Sequence, residues 1–378
     1  MNILDTINQQ ELAKKLKDAR NVTGFTQEEA AGKLGFARTT LVAIESGDRR
    51  IKPEELIAFS RLYSISANQL LQPKSIQANL IARFRKYKPN EMDKASSEAM
   101  RILNHLATAA SEIESLLGKP LNPHYPPEVP IMQGDIVAQA EDAATIVRHQ
   151  LGLGTAPVSR LDSILEWDLK IRVFVRPLSQ SISGLFAYDE ALGACILLNQ
   201  RQSKKRQLIT IAHEWGHFIS SRADADIWDG EEEENSKEEK FAVAFSVAVT
   251  MPAISLRRRY REICDSEGKF SVRRLILLAQ EYYVTEEAMC RRLEGLKLLP
   301  AGTFDSLKER GLSKVVNKVN VEEEGQLLSI ERPSRISLLA AEVYQRGLLS
   351  ESQLCEMLML DRVQIRRLLD LLGEDEHL

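Results

Sequence analysis

Residues 206–220 are RQLITIAHEWGHFIS, and they contain His213–Glu214–Trp215–Gly216–His217. Residues four apart share one face of an α-helix, so both imidazoles can reach a single ion. Glu214 projects beside them, where it can take a proton as a general base. The flanking Leu208, Ile209, Ile211, Ala212, Phe218 and Ile219 are apolar, as a buried helix requires. Two histidines satisfied on a helix face are the plainer alternative, and this short pattern alone leaves both open.

A catalytic zinc takes three protein ligands and keeps one position open. Downstream lies an acidic run, Asp224 to Glu234, with glutamates at Glu231–Glu234. It is expected to be a solvated loop. KEEKFAVAFSVAVTMP then begins a second apolar helix that ends at Met251–Pro252. Glu239, at its start, is the expected third ligand, with Ala242, Phe245 and Ala248 along the inward face. Glu238 is the second choice and Asp226 the third. A carboxylate in a first helical turn is also favoured by the helix dipole without any metal.

The segment from about 140 to 300 resembles the ImmA/IrrE family of metallopeptidases. The features that carry the likeness are strand-like runs at Ser183–Gly184–Leu185 and Cys195–Asn199, Arg206 ahead of Ala212–His213–Glu214, and a closing helix with Glu239, Ala242, Phe245 and Met251–Pro252. One departure stands out: the asparagine of the family's closing helix is Val243 here. The resemblance implies zinc-dependent peptide hydrolysis. His213, His217 and Glu239 would hold Zn²⁺, with Mn²⁺ as the alternative, and Glu214 would be the catalytic base. It also implies a protein substrate, a repressor or another regulator, in a stress response, a mobile element or a toxin–antitoxin pair. An extended substrate is expected to add as a strand to Ile182–Ala187 or to Ala194–Asn199. Tyr188 is a candidate oxyanion donor.

Residues 9–72 divide into five short helical runs. Thr26–Gln27–Glu28–Glu29 has the capping-box pattern, a hydroxyl followed three residues later by a carboxylate. Helices are predicted at Gln10–Val22, Gln27–Leu34, Arg38–Ser46 and Pro53–Tyr63. Gly35 and Gly47 act as stops, and Pro53 suits a first turn. Helix, tight turn, helix is the helix-turn-helix arrangement, whose second helix presents its N-terminal residues to base edges in the major groove. Arg38 and Thr39, with Ala43 one turn on, are the expected base-reading residues. Arginine contacts guanine in two places, and threonine or alanine touches a thymine methyl. Gln27 is expected near a phosphate, and Arg49, Arg50 and Lys52 near the backbone. The run TQEEAAGKLGFARTTLVAIESGDRRIKPEELIAF resembles the XRE family of λ-repressor-like regulators, which implies a double-stranded DNA operator. Residues 1–75 hold eleven Lys and Arg against nine Asp and Glu, only +2. Binding must therefore come from a local patch.

Between these regions, Met100, Leu103, Leu106, Ala110, Ile113 and Leu117 recur at spacings of three and four, forming one helical face over Glu91–Gly118. That face either packs on its own domain or forms a dimer seam. PLNPHYPPEVP at 120–130 has five prolines in eleven positions and is predicted to be a linker. From about Pro333 to Leu372 two or three helices are expected, with Asp361 capping the last. They resemble a second helix-turn-helix-like unit weakly.

The predicted fold is mainly α with a small β-sheet (α+β), for which 378 residues allow two or three domains. The expected order is a five-helix DNA-binding domain at 1–75, a linker helix and proline-rich linker at 76–130, a zincin-like HExxH domain at 131–312 and a helical extension at 313–378. Hydrophobic residues at 44% and charged residues at 28% exclude a wholly disordered chain. Four cysteines, Cys195, Cys264, Cys290 and Cys355, form no CxxC pair, which argues against a disulfide scaffold or a cysteine zinc ribbon. With no apolar run of about 18 residues and no signal pattern, no membrane partner and a cytoplasmic location are expected. A homodimer follows from the two-fold logic of helix-turn-helix operators. Two functions remain open at this stage. One is a DNA-binding regulator carrying a zinc endopeptidase; the other is a transcription factor whose zincin-like domain only senses a ligand or metal.

Overall fold

The computed structural model describes residues 9–63, 65, 70, 94–222, 226–228, 236–312, 316 and 333–373. The fold is α+β, mostly helical with one small sheet. Two compact units form, one from Met1–Asn122, Asp189–Gly193 and Arg335–Leu378, the other from Pro123–Tyr188 and Ala194–Ser334. The first break falls within the proline-rich stretch at 120–130, where proline removes the amide donors a continuing helix would need.

The N-terminal unit opens with α1 (Gln9–Thr23), α2 (Gln27–Leu34), α3 (Arg38–Glu45) and α4 (Pro53–Tyr63). Leu16, Ala30, Ala31, Leu41, Ile44 and Phe59 meet in its core. The capping box forms: Thr26 Oγ1 accepts from Glu29 N at 3.2 Å, and Glu29 Oε2 accepts from Thr26 N at 2.8 Å. Gly35 closes α2 in the left-handed region at φ +72°, a conformation that a side chain would disfavour. Of the fifth expected helix, only Leu70 is described as helical, and it is buried; the rest lies outside the described residues. The helix α5 (Lys94–Leu116) follows, and its apolar stripe is buried from Met100 to Leu117.

The second unit begins with α6 (Ile136–Gln150), capped by Asp135 Oδ1, which accepts from Val137 N at 2.9 Å. Next come α7 (Leu161–Trp167), β1 (Arg172–Arg176), β2 (Gly184–Asp189), β3 (Gly193–Asn199), α8 (Lys204–Ser220), β4 (Asp226–Trp228) and α9 (Lys237–Thr250). Strand order is β1-β3-β2-β4. β1 runs parallel to β3, from Arg172 opposite Cys195 to Arg176 opposite Asn199. β4 runs antiparallel to β2, with Gly184 opposite Trp228. The helix α9 packs on both α8 and α6, with Trp215, Phe218, Phe241 and Phe245 at the centre of the core. Arg148 is buried in α6 and donates to Gly154 O at 2.8 Å, Ala156 O at 2.5 Å and Val249 O at 2.5 Å. Burial pushes its pKa down, yet the carbonyls satisfy its donors. A second cluster, from α10 (Ala253–Glu267), α11 (Val272–Glu281), α12 (Glu286–Gly295) and α13 (Thr303–Glu309), gathers around Leu275, Leu278, Met289 and Leu293.

The C-terminal segment holds three helices, α14 (Arg335–Gln345), α15 (Glu351–Leu358) and α16 (Arg362–Gly373). Asp361 does cap the last, accepting from Gln364 N at 2.8 Å. Leu339, Val343, Leu354 and Ile365 pack with Ala109 and Ile113 of α5 and with Leu117 just past its end. Lys119 Nζ pairs with Glu342 at 2.7 Å, and Arg335 with Glu114. The apolar stripe of α5 is thus covered from within the chain, where a dimer seam was the alternative. Each of the three helices has an apolar face that must pack against another element, and α5 joins them in one core. Among the described residues, no single helix is long and apolar enough to cross a membrane.

Candidate functional site

The α8 helix begins at Ser203, whose Oγ accepts from Arg206 N at 3.3 Å. Three turns on, His213, Glu214 and His217 are all buried. The α9 helix begins at Ser236, whose Oγ accepts from Glu239 N at 3.0 Å. Ser236–Lys237–Glu238–Glu239 therefore has a capping-box sequence. Glu239 does not turn back to the cap; its carboxylate faces the histidines. His213 Nε2 lies 3.4 Å from Glu239 Oε1, and His217 Nε2 lies 3.4 Å from Glu239 Oε2. The two Nε2 atoms are 3.0 Å apart. Of the three acidic candidates, Glu239 is the one brought to the pair. Glu238 is exposed, and Asp226 enters β4 with its backbone opposite Phe186.

These distances test the donor set for a metal. Bonds of about 2.0–2.1 Å in a tetrahedron place ligand atoms about 3.3–3.4 Å apart. The observed spacings of 3.0, 3.4 and 3.4 Å fit that polyhedron with small adjustment. His213, His217 and Glu239 can hold one ion, and two histidines with one carboxylate make a three-ligand set with a position left open. Burial alone would raise the Glu239 pKa, but hydrogen bonds from His213 and His217 outweigh it and bring the pKa down to about 2. The carboxylate is thus held ionised, as a ligand must be.

Two glycines make this geometry possible; the sequence reading placed both within its motifs and gave neither a role. A Cβ on Gly216 would sit 2.9 Å from Ala242 Cα and 3.2 Å from Ala242 O. Without one, the α8 and α9 backbones approach closely between the two histidines, and this brings Glu239 within reach. A Cβ on Gly184 would meet Thr210 Cγ2 at 2.6 Å and Glu214 Oε1 at 3.3 Å. The β2 strand therefore passes directly beside the Glu214 carboxylate.

Two sequence expectations about the sheet change. β3 lies between β1 and β2, so Ala194–Asn199 has no free edge for a substrate strand. The outer edge of β2 pairs with β4, so part of the acidic run is a strand instead of a loop. An unpaired strand edge recruits nearby backbone, and residues 226–228 lie close by in sequence after α8. Tyr188 packs edge-on against Tyr125, with ring centroids 6.2 Å apart.

In the N-terminal unit, Arg38 and Thr39 are exposed at the start of α3, and Ala43 is half-buried. Val42, 40% exposed and one turn from Arg38, joins the same face and was not anticipated. Gln27 is differently placed: its Nε2 donates to Glu45 Oε2 at 2.9 Å. Glu45 also takes Arg20 Nε at 2.7 Å, so Gln27 completes a network tying α1, α2 and α3 together. A phosphate near Gln27 would meet the backbone amides of α2, not this amide nitrogen. Arg49 pairs with Glu55 at 2.8 Å, which offsets its charge, whereas Arg50 and Lys52 are exposed.

Residues 167–294 match the family model described as the IrrE N-terminal-like domain of the M78 peptidases, and residues 11–71 match that of a helix-turn-helix domain. The chain thus joins an XRE-like helix-turn-helix domain to an ImmA/IrrE-like peptidase domain. Among individual proteins, the helix-turn-helix-type transcriptional regulator ImmR of Bacillus subtilis (strain 168) is 40% identical over 60 residues, 16% of this chain. The match spans about half of that relative, 47% of its length.

Proposed function

We propose that this chain is a DNA-binding transcriptional regulator whose second unit is a zinc-dependent endopeptidase, cutting a repressor or another regulatory protein. The observation that carries the reading is Glu214, buried one residue from His213 and beside the β2 backbone at Gly184. A purely structural metal site needs no such carboxylate. Zinc, when bound, lowers the pKa of water to about 7 and polarises a carbonyl. Glu214 would take a proton from the water whose oxygen adds to the scissile carbonyl carbon, and would return it to the amine nitrogen as the C–N bond breaks. His213, His217 and Glu239 fix the position of the ion, and the buried walls exclude bulk water.

Metal analysis of the full chain by mass spectrometry tests the site. One zinc per chain is expected, lost in both His217→Ala and Glu239→Ala. Manganese in place of zinc would correct the ion and keep the ligands. A well-folded wild type that takes up no metal would leave the sensing reading in its place.

The DNA reading rests on the exposed Arg38–Thr39–Val42 face, and it carries with it a homodimer on a two-fold operator. Arg38→Ala is expected to cost about 1–3 kcal/mol in binding to a duplex selected by the wild-type chain, with non-specific binding nearly unchanged. An unaltered footprint would move base reading away from α3.

A further inference from the structure

The C-terminal helices repeat the plan of the first helix-turn-helix residue for residue. The helices α2 and α15 each have 8 residues, and each begins with a capping box, Thr26 with Glu29 and Ser350 with Gln353. Each is followed by one residue in the left-handed region, Gly35 at φ +72° and Met359 at φ +52°. The next amide turns back in both: Phe36 N donates to Ala31 O at 2.9 Å, and Leu360 N to Cys355 O at 3.1 Å. One more residue, Ala37 or Asp361, then precedes α3 or α16. The buried positions correspond as well, Ala30 to Leu354 and Leu41 to Ile365, all four at 0% exposure. The helix α14 packs on α16 as α1 packs on α3. Thus α15 and α16 form a second helix-turn-helix.

This geometry alone names no ligand, because α11 and α12 make a similar turn, with Tyr283 at φ +56° and Thr285 as the cap. Charge separates the two. The helix α12 opens with Glu286 and Glu287, which repel phosphate. The helix α16 opens with Arg362 and carries Arg366 and Arg367 one turn on, all three exposed. Arg362, Val363, Arg366 and Arg367 hold the places that Arg38, Thr39, Val42 and Ala43 hold on α3. Arg366 pairs with Glu351 at 3.2 Å, while Arg362 and Arg367 have no ion-pair partner among the described residues. Val363 is 59% exposed on the same face. Asp361 is engaged as the cap, accepting from Gln364 N at 2.8 Å. A face with three guanidiniums and one apolar side chain suits phosphates and base edges, whereas the centre of a protein interface is depleted of charge.

We propose that α15 and α16 are a second double-stranded DNA-binding module, with Arg362 and Val363 at base edges and Arg366 and Arg367 on the phosphate backbone. Arginine suits guanine and the valine methyls suit a thymine methyl. The module rests neither on the peptidase reading nor on the contact made by α3.

Duplexes selected by the full chain from a random pool, then bound across a salt series, test this. Arg362→Gln/Arg367→Gln is expected to weaken binding roughly tenfold or more at about 0.15 M salt, and to lower the slope of log affinity against log salt by about 1–2. Both side chains are exposed, so the fold should survive, which thermal unfolding checks. Arg257→Gln/Arg261→Gln removes the same charge from exposed positions of α10 and should change neither quantity. A hydroxyl-radical footprint should lose one protected patch in the α16 variant and a different patch in Arg38→Ala. Loss in Arg38→Ala alone, with the α16 variant unchanged, would overturn the proposal and leave the α3 reading standing. Loss in the α16 variant alone would uphold it and remove α3. Equal losses in the α16 and α10 variants would reduce the effect to bulk charge and overturn it. So would lost self-association with unchanged DNA binding, which would make the face a contact between copies of the chain. A wild type that selects no duplex would overturn both DNA readings.

Discussion

Glu214→Gln is expected to retain zinc and to lose hydrolysis by about 10²–10⁴-fold, the range for a positioned general base. The substitution is nearly isosteric, so the packing beside Gly184 and Thr210 survives. The metal ligands are three other residues, so metal content should not change. What changes is proton affinity, because an amide cannot accept the proton that a carboxylate takes at neutral pH. With the substrate unidentified, the measurement is N-terminal profiling of host cells that express either form, alongside zinc content of the purified proteins. New protein N-termini that arise with the wild type should be missing with the variant. Cleavage at the wild-type level by a zinc-loaded variant would overturn the general-base assignment.

Much of this site was legible because its signals are local. His213 and His217 sit one helical turn apart, so spacing alone places them on one face. The Thr26 capping box and the Gly35 stop are likewise short-range, and α2 has the predicted bounds. Glu239 was reachable because an apolar helix had to begin near it. What stayed hidden depends on neighbours distant in sequence. Gly216 looks like a weak helix residue until Ala242 is placed against it. The amide of Gln27 suits a phosphate until Glu45, eighteen residues away, takes it. The stripe of α5 signals a buried face without saying what covers it, and the cover of its C-terminal part, from α14 to α16, lies more than two hundred residues on. Strand order is non-local too, which is why β3 was taken for a possible edge.

Gly216→Val is expected to damage both fold and metal site, and a second glycine supplies the control. The added Cβ would overlap Ala242 Cα at 2.9 Å and Ala242 O at 3.2 Å. Those are backbone atoms and cannot rotate away, so α9 must shift. Overpacking of this kind costs about 1–3 kcal/mol. Glu239 lies one turn before Ala242 on the same helix, so its two 3.4 Å approaches to the histidines open as α9 moves. Zinc affinity should fall roughly 10–100-fold, as when an outer support of a metal site is lost. Gly32 of α2 differs, because a Cβ there meets nothing within 4 Å. Gly32→Ala should leave zinc binding unchanged and stabilise the N-terminal unit by up to about 1 kcal/mol through helix propensity. Thermal unfolding and competition with a zinc chelator read both effects. Unchanged zinc affinity in folded Gly216→Val would show that Glu239 reaches the histidines without the close α8–α9 approach, and would remove Gly216 from the account of the site.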